Sequence, residues 1–275
     1  GKEYVVGTQI TVSTDAEHVI WFYSVDAAGN EETPKSVTFK IDRTAPVTTL
    51  MADPPSPNGA NGWYISDVAI SLSAIDQGSG VATTKSSIDG GASFTETKEF
   101  TLGEGVHDVR FYSIDNAGNK EETQSRVFRI DKSAPNTTHS LSSDKPKNGD
   151  WYVADVTVTL HPTDVGPSGI DVTYYSVDGS PEVPGTSLVL DTDGEHTVEY
   201  YSVDKAGNKQ APQTISLKID KTAPTTKAEL VPEYPNGDND WYTVPVLVQL
   251  TAEDNINGSG VAKTYLSTDR MNWHE

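Results

Sequence analysis

One phrase occurs three times at a fixed interval, and it limits what this chain can fold into more than any other feature. Ser24-Val25-Asp26-Ala27-Ala28-Gly29-Asn30 recurs as Ser113-Ile114-Asp115-Asn116-Ala117-Gly118-Asn119 and again as Ser202-Val203-Asp204-Lys205-Ala206-Gly207-Asn208, with 89 residues between successive copies. Ile41-Asp42-Arg43-Thr44-Ala45-Pro46 keeps the same interval at Ile130 to Pro135 and Ile219 to Pro224. Trp63-Tyr64 returns as Trp151-Tyr152 and Trp241-Tyr242, and Ser79-Gly80 as Ser168-Gly169 and Ser259-Gly260. A constant period of domain size means copies of one small domain in series, not one large core. Two complete units follow, 47–135 and 136–224. Residues 1–46 match the second half of a unit and 225–275 the first half, as expected of an excerpt from a longer array.

Within a unit the pattern is all-β. Val68, Ile70, Leu72 and Ala74 alternate with polar residues, as do Val156, Val158 and Leu160, which is the period of a half-buried strand. Val109, Phe111 and Ser113 share one parity and Arg110 the other. The positions equivalent to Arg110 carry Trp21 and Glu199, so that parity faces water. Asn-Gly pairs at 58–59, 61–62, 148–149 and 236–237, and Asp-Gly pairs at 89–90 and 178–179, punctuate the strands as turns. About seven short strands in a unit of this size fit an immunoglobulin-like β-sandwich. In the unit 47–135 the strands are expected near 47–51, 67–75, 81–88, 98–102, 106–115 and 120–131. The glycine-free run from Ile130 to Pro135 then makes a semi-rigid link to the next unit.

The charge narrows the partners. Forty Asp and Glu stand against twenty Lys and Arg, a net charge of −20, which disfavours nucleic acid and anionic lipid. No apolar run reaches the roughly 18–20 residues of a membrane span. The absence of cysteine excludes disulfides, thiolate zinc sites and a cysteine nucleophile.

The order of signals resembles a known bacterial extracellular repeat. It runs Trp151-Tyr152, Asp164, Ser168-Gly169, then Tyr174 to Gly179. Gly194-Glu195-His196-Thr197 and Tyr200 to Asp204 follow, then Ala206-Gly207-Asn208 and Ile219 to Pro224. This looks like the immunoglobulin-like repeat often labelled an outer-membrane-protein-type β-barrel domain. The strand ending at Asp115 or Asp204, with its turn, also resembles a fibronectin type III domain, although His196 stands where that family has a buried tyrosine. Such repeats occur in large secreted enzymes, surface-layer proteins and adhesins. The resemblance therefore implies an extracellular spacer whose partners are neighbouring domains of the same longer chain.

Two candidate sites emerge. In this sandwich the loop after the second strand, the turn Asp115–Asn119 and the incoming linker share one end. That end is expected to gather Asp42, Asp76, Asp115 and Asn119 at the first junction and Asp131, Asp164, Asp204 and Asn208 at the second. Asp220 and Asp254 would meet at the third, which has no matching turn in this sequence. Oxygen ligands from several loops suit calcium, which takes six to eight of them; the competing reading is that these side chains shape their own turns. Asp254 to Gly260 is not an EF-hand loop, because Tyr265 stands where its glutamate belongs.

The second candidate is aromatic. Trp63, Tyr64, Trp151, Tyr152, Trp241 and Tyr242 would stack sugar rings if exposed, making the chain a binding module for cell-wall or substrate polysaccharide or a host matrix protein. Adjacent strand residues point to opposite faces, so at most one of each pair is open. The six histidines form no metal-protease pair, and no nucleophile elbow or phosphate loop is present. The chain is accordingly expected to be non-catalytic. A lysine crosslink common to the repeats is excluded because Arg129 stands where Lys40 and Lys218 stand in the other copies. Each unit is expected to add roughly 35–45 Å to a rod, from strands rising ~3.3 Å per residue.

Overall fold

The computed structural model describes residues 6–274, and among them every regular element is a strand. The chain divides into two compact units. One runs through Lys132 and includes Gly166–Ser168; the other comprises Ser133–Val165 and the chain from Gly169 onward.

The first unit begins with an antiparallel pair, β1 (Ala16–Phe22) and β2 (Lys35–Ile41). Six strands follow: β3 (Val47–Asp53), β4 (Val68–Ile75), β5 (Val81–Ser87), β6 (Glu99–Leu102), β7 (Gly105–Asp115) and β8 (Gln124–Ile130). They make two antiparallel sheets in the orders β3-β4-β6 and β5-β7-β8. These are the strands expected from the alternation, and the parity on β7 is as read: Val109, Phe111 and Ser113 are buried while Arg110 faces solvent. The core between the sheets joins Val68, Ile70 and Leu72 of β4 to Val109 and Phe111 of β7 and Phe128 and Ile130 of β8.

The second unit contains β9 (Asn136–Ser143), β10 (Trp151–Tyr152), β11 (Val156–Thr163), β12 (Ile170–Val177), β13 (Val183–Pro184), β14 (Ser187–Leu190), β15 (Gly194–Asp204) and β16 (Gln213–Ile219). Its sheets run β10-β16-β15-β12-β13 and β14-β11-β9. Val156, Val158, Leu160, Val198, Tyr200 and Ile219 belong to a core cluster of its own. The seven strands expected per repeat become six in the first copy and eight in the second. The difference lies in two-residue pairings such as β10 and β13, which in the first copy shrink to isolated bridges at Tyr64 and Thr95. The chain continues as β17 (Thr225–Val231) paired with β18 (Leu247–Glu253).

Turn chemistry divides the glycine pairs. Asn61-Gly62 and Asp178-Gly179 adopt positive φ at both residues (51° and 79°; 51° and 74°), which the primed hairpin turns require. Asn58 and Asn236 act through their side chains instead. Their Oδ1 atoms accept the N–H groups of Ile65 (2.9 Å) and Thr243 (2.7 Å), bracing loops rather than making two-residue turns.

The Trp-Tyr pairs strap a sheet edge. Tyr64 donates its N–H to the Arg129 carbonyl and accepts the Asp131 N–H, each at 2.8 Å, running parallel to β8. Trp151 and Tyr152 run parallel to β16 in the same way, and Tyr152 accepts the Asp220 N–H at 2.8 Å.

Candidate functional site

The end of β2, the β4–β5 loop and the turn after β7 converge in the first unit. Asp115 ends β7 and is buried. Its Oδ1 accepts the Asn119 N–H at 2.8 Å and its Oδ2 the Asn119 side-chain amide at 2.7 Å, while Gly118 supplies φ 97° to close the loop. Asn119 also donates to the Asp42 carbonyl at 3.1 Å. Asn116 donates through Nδ2 to the carbonyls of Ser79 and Gly80, both at 2.9 Å, and so ties the turn to the β4–β5 loop.

Asp42 lies just past β2. Its Oδ2 accepts the Ser79 N–H at 2.6 Å and its Oδ1 the Thr44 N–H at 3.2 Å. The bonds from Ser79, side chain first and backbone second, hold the Asp42 carboxyl below the usual carboxylate range against the opposing Asp15 charge. Gly78 is what lets the loop approach, since a Cβ there would stand 2.5 Å from that carboxyl carbon. Asp76 accepts the Gly80 N–H on Oδ1 at 2.7 Å, whereas its Oδ2 is wholly buried without a hydrogen-bond partner. Carboxylate oxygens of Asp42, Asp76 and Asp115 lie within 4.8 Å of one another. Three like charges this close repel strongly, and an oxygen-seeking cation would neutralise them; the donor set therefore fits calcium.

The other expected ligands keep parts of this pattern. Asp131 Oδ2 accepts the Ser168 N–H at 2.8 Å. In the second unit Asp204 accepts the Asn208 N–H and side-chain amide, both at 2.8 Å, as Asp115 does, and Asp164 follows β11 as Asp76 follows β4. Asp220 Oδ2 accepts the Ser259 N–H and Asp254 Oδ2 the Gly260 N–H, each at 2.7 Å, with Asp254 Oδ1 buried and unpartnered. A linker aspartate gripping the Ser N–H of a Ser-Gly pair thus occurs three times.

A second clasp escaped the sequence reading. Asp15 accepts from Arg43 (3.0 Å) and from the Thr44 hydroxyl (2.7 Å). Asp193 does the same for the Lys221 N–H (2.9 Å) and the Thr222 hydroxyl (2.6 Å). Asp15 and Asp193 stand two repeat lengths apart, and that equivalence is the signal by which they were findable.

The aromatic residues differ in exposure. Tyr64 is buried; Trp63, Trp151, Tyr152 and Tyr242 are half-buried, and Trp241 is exposed. Tyr242 donates its hydroxyl to the Glu233 carbonyl at 3.1 Å. On the five-stranded sheet the Tyr201 hydroxyl bonds Glu182 at 2.6 Å, which, with burial, pushes its pKa up to about 12. Lys209 lies 3.7 Å over that ring, so the face is covered.

His196 makes the clearest titratable contact. Its Nδ1 meets Asp178 Oδ2 at 2.8 Å, and its Nε2 meets the Thr192 carbonyl at 2.9 Å. Burial opposes the imidazolium, but the bonds and the Asp178 charge outweigh it and raise the pKa. The Asp178 carboxyl is lowered: burial works against its charge, and the Thr197 N–H and His196 more than offset that. The histidine contribution is complete below the ordinary value near 6.5 and fades as pH rises through the raised one; the aspartate contribution is complete above its ordinary value near 3.8 and fades as pH falls through the lowered one. Melting of the second unit is therefore expected to shift downward as pH rises above about 6.5. Asp178→Asn should flatten that dependence in a calorimetric pH series.

A family-model match agrees with this architecture. Residues 71–132 match the family model of the bacterial Ig-like domain. Among solved structures, the fibronectin(III)-like modules of Clostridium thermocellum CbhA align at 15% identity over 62% of this chain and 94% of theirs, with a TM-score of 0.28. SGBP-B of the Bacteroides ovatus mixed-linkage glucan utilization locus, solved with a mixed-linkage heptasaccharide, aligns at 12% identity over 73% of this chain and 77% of that one, with a TM-score of 0.23. No curated protein sequence matches the chain. With its period, its strand order and the match at 71–132, the chain is a tandem array of all-β sandwich repeats similar to the bacterial Ig-like domain.

Proposed function

We propose that this chain is a non-catalytic spacer in a secreted or surface-attached bacterial protein, and that calcium held by Asp42, Asp76 and Asp115 stiffens the entry of the linker into the repeat. The observation that carries the spacer reading is the recurring grip of a linker aspartate on a Ser-Gly loop: Asp42 on Ser79, Asp131 on Ser168 and Asp220 on Ser259. A domain that serves only to bind a ligand has no need of a linker fastened at each copy. The Asp15 and Asp193 clasps support the same reading, because they hold the residues just after Asp42 and Asp220. For calcium, the support is the convergence of three carboxylates together with the buried, unpartnered Asp76 Oδ2.

The test is scanning calorimetry of the full chain in calcium and in chelator. An ion at about a hundred times its Kd stabilises the state that binds it by about 2.7 kcal/mol. The first unit should accordingly melt several degrees higher in calcium. Superimposable curves would remove calcium from this reading and leave the spacer role standing. A saturable change in tryptophan fluorescence on titration with soluble polysaccharide would instead favour a glycan-binding module.

A further inference from the structure

The second unit buries a chain of hydroxyl groups beside a carboxamide whose oxygen is already gripped. Thr137 on β9, Ser202 on β15 and Thr173 on β12 are buried, and Gln210, between β15 and β16, is only 6% exposed. Gln210 Oε1 accepts the Thr137 N–H at 3.1 Å and the Ser202 N–H at 3.3 Å. Thr137 Oγ1 lies 2.6 Å from Ser202 Oγ, which lies 2.7 Å from Thr173 Oγ1.

Two backbone N–H groups on one carbonyl oxygen are the arrangement that stabilises negative charge when a nucleophile adds to the carbonyl carbon. Here one of those N–H groups belongs to Thr137, whose hydroxyl lies in the same buried cluster. The hydroxyl is hydrogen-bonded to a neighbour able to take and pass on its proton. Burial limits competing water, and the folded sandwich holds the two groups together permanently, which raises their effective concentration. The reaction occurs once per molecule, so it needs to be fast only relative to the lifetime of the protein.

We propose that Thr137 and Gln210 form an intramolecular ester. The Thr137 Oγ1–Gln210 Cδ bond forms and the Gln210 Cδ–Nε2 bond breaks. The threonine hydroxyl proton passes through Ser202 to the leaving nitrogen, which departs as ammonia; no oxidant, reductant or second reactant enters. The product fastens β9, in one sheet, to the segment leading into β16, in the other.

The first unit supplies an internal contrast. Thr48, Ser113 and Thr84 occupy the equivalent positions, with Glu121 in place of the glutamine. Glu121 accepts the N–H groups of Thr48 (3.0 Å) and Ser113 (2.6 Å) and the Thr48 hydroxyl. A carboxylate resists nucleophilic addition and carries no amine to expel, so this cluster remains hydrogen-bonded. One ester per chain is expected.

Intact-mass spectrometry of the purified full chain tests the proposal. The expected mass falls short of the sequence mass by one ammonia, and proteolysis should yield a peptide pair joined through Thr137 and Gln210 that hydroxylamine separates. Thr137→Val should restore the full mass. Gln210→Glu, which installs the side chain already accommodated in the first unit, should do so as well. A full sequence mass in wild-type protein after prolonged incubation overturns the proposal. So does a deficit that persists in Thr137→Val, because a succinimide at an Asn-Gly pair loses the same ammonia and Ser202 is the competing nucleophile.

Discussion

Truncating Phe128 to alanine is expected to cost the first unit about 3–5 kcal/mol, the range for emptying a buried aromatic site. Phe128 is fully buried on β8. Its ring lies 6.0 Å from that of Tyr64, and it packs in the cluster that includes Val68, Val109 and Phe111. Few single domains hold more than 5–15 kcal/mol in all, so such a loss leaves the unit close to its threshold. The core of the second unit shares no residue with this one. Urea denaturation of Phe128→Ala should therefore show one transition moved sharply to lower denaturant and the other in place. Two equally displaced transitions would mean that the units melt as a single cooperative body.

Replacing Asp76 with asparagine is expected to destabilise the first unit in calcium but not in chelator. Asparagine keeps the oxygen that accepts the Gly80 N–H and removes one negative charge from a cluster of three. In chelator, less repulsion should leave stability unchanged or slightly higher. In calcium, the loss of a charged ligand should forfeit most of the roughly 2.7 kcal/mol that saturation supplies. The contrast matters more than the size. A hydrogen-bonding role alone for Asp76 predicts the same small change under both conditions, and that result would count against a cation.

The sequence exposed the sandwich because alternation repeats from copy to copy. At the position of Arg110, the substitution of Trp21 and Glu199 reports solvent on that face more directly than any one residue does. Side-chain members of the acidic cluster were legible for a similar reason, since Asp42, Asp76 and Asp115 lie at strand ends that the topology gathers. Their partners were less so. The Ser79 N–H that binds Asp42 is a backbone group, and backbone donors leave no signature beyond the small residues around them, here Gly78 and Gly80. The His196–Asp178 contact was hidden because the first copy has the same two residue types without that pairing. There His107 keeps the equivalent bond to a backbone carbonyl, that of Gly103, whereas Asp89 bonds Ser87 and Ser93 instead of the histidine. The Glu121 and Gln210 clusters were illegible because buried threonine and serine are indistinguishable from turn formers until the sheets are stacked.

A chain assembled from near-copies of itself carries a hazard that a single domain lacks, for every strand has a look-alike one repeat away that would accept it as a partner. The edges of β8 and β16 are where such an exchange would begin, since each would otherwise present unpaired backbone groups. Tyr64 and the Trp151–Tyr152 pair already occupy those edges in parallel register, drawn from the same copy as the strand they cover. Each repeat therefore consumes its own pairing capacity before a neighbour can compete for it. That economy suits a molecule synthesised as a long run of similar sequence, where correct folding depends on each copy recognising itself first.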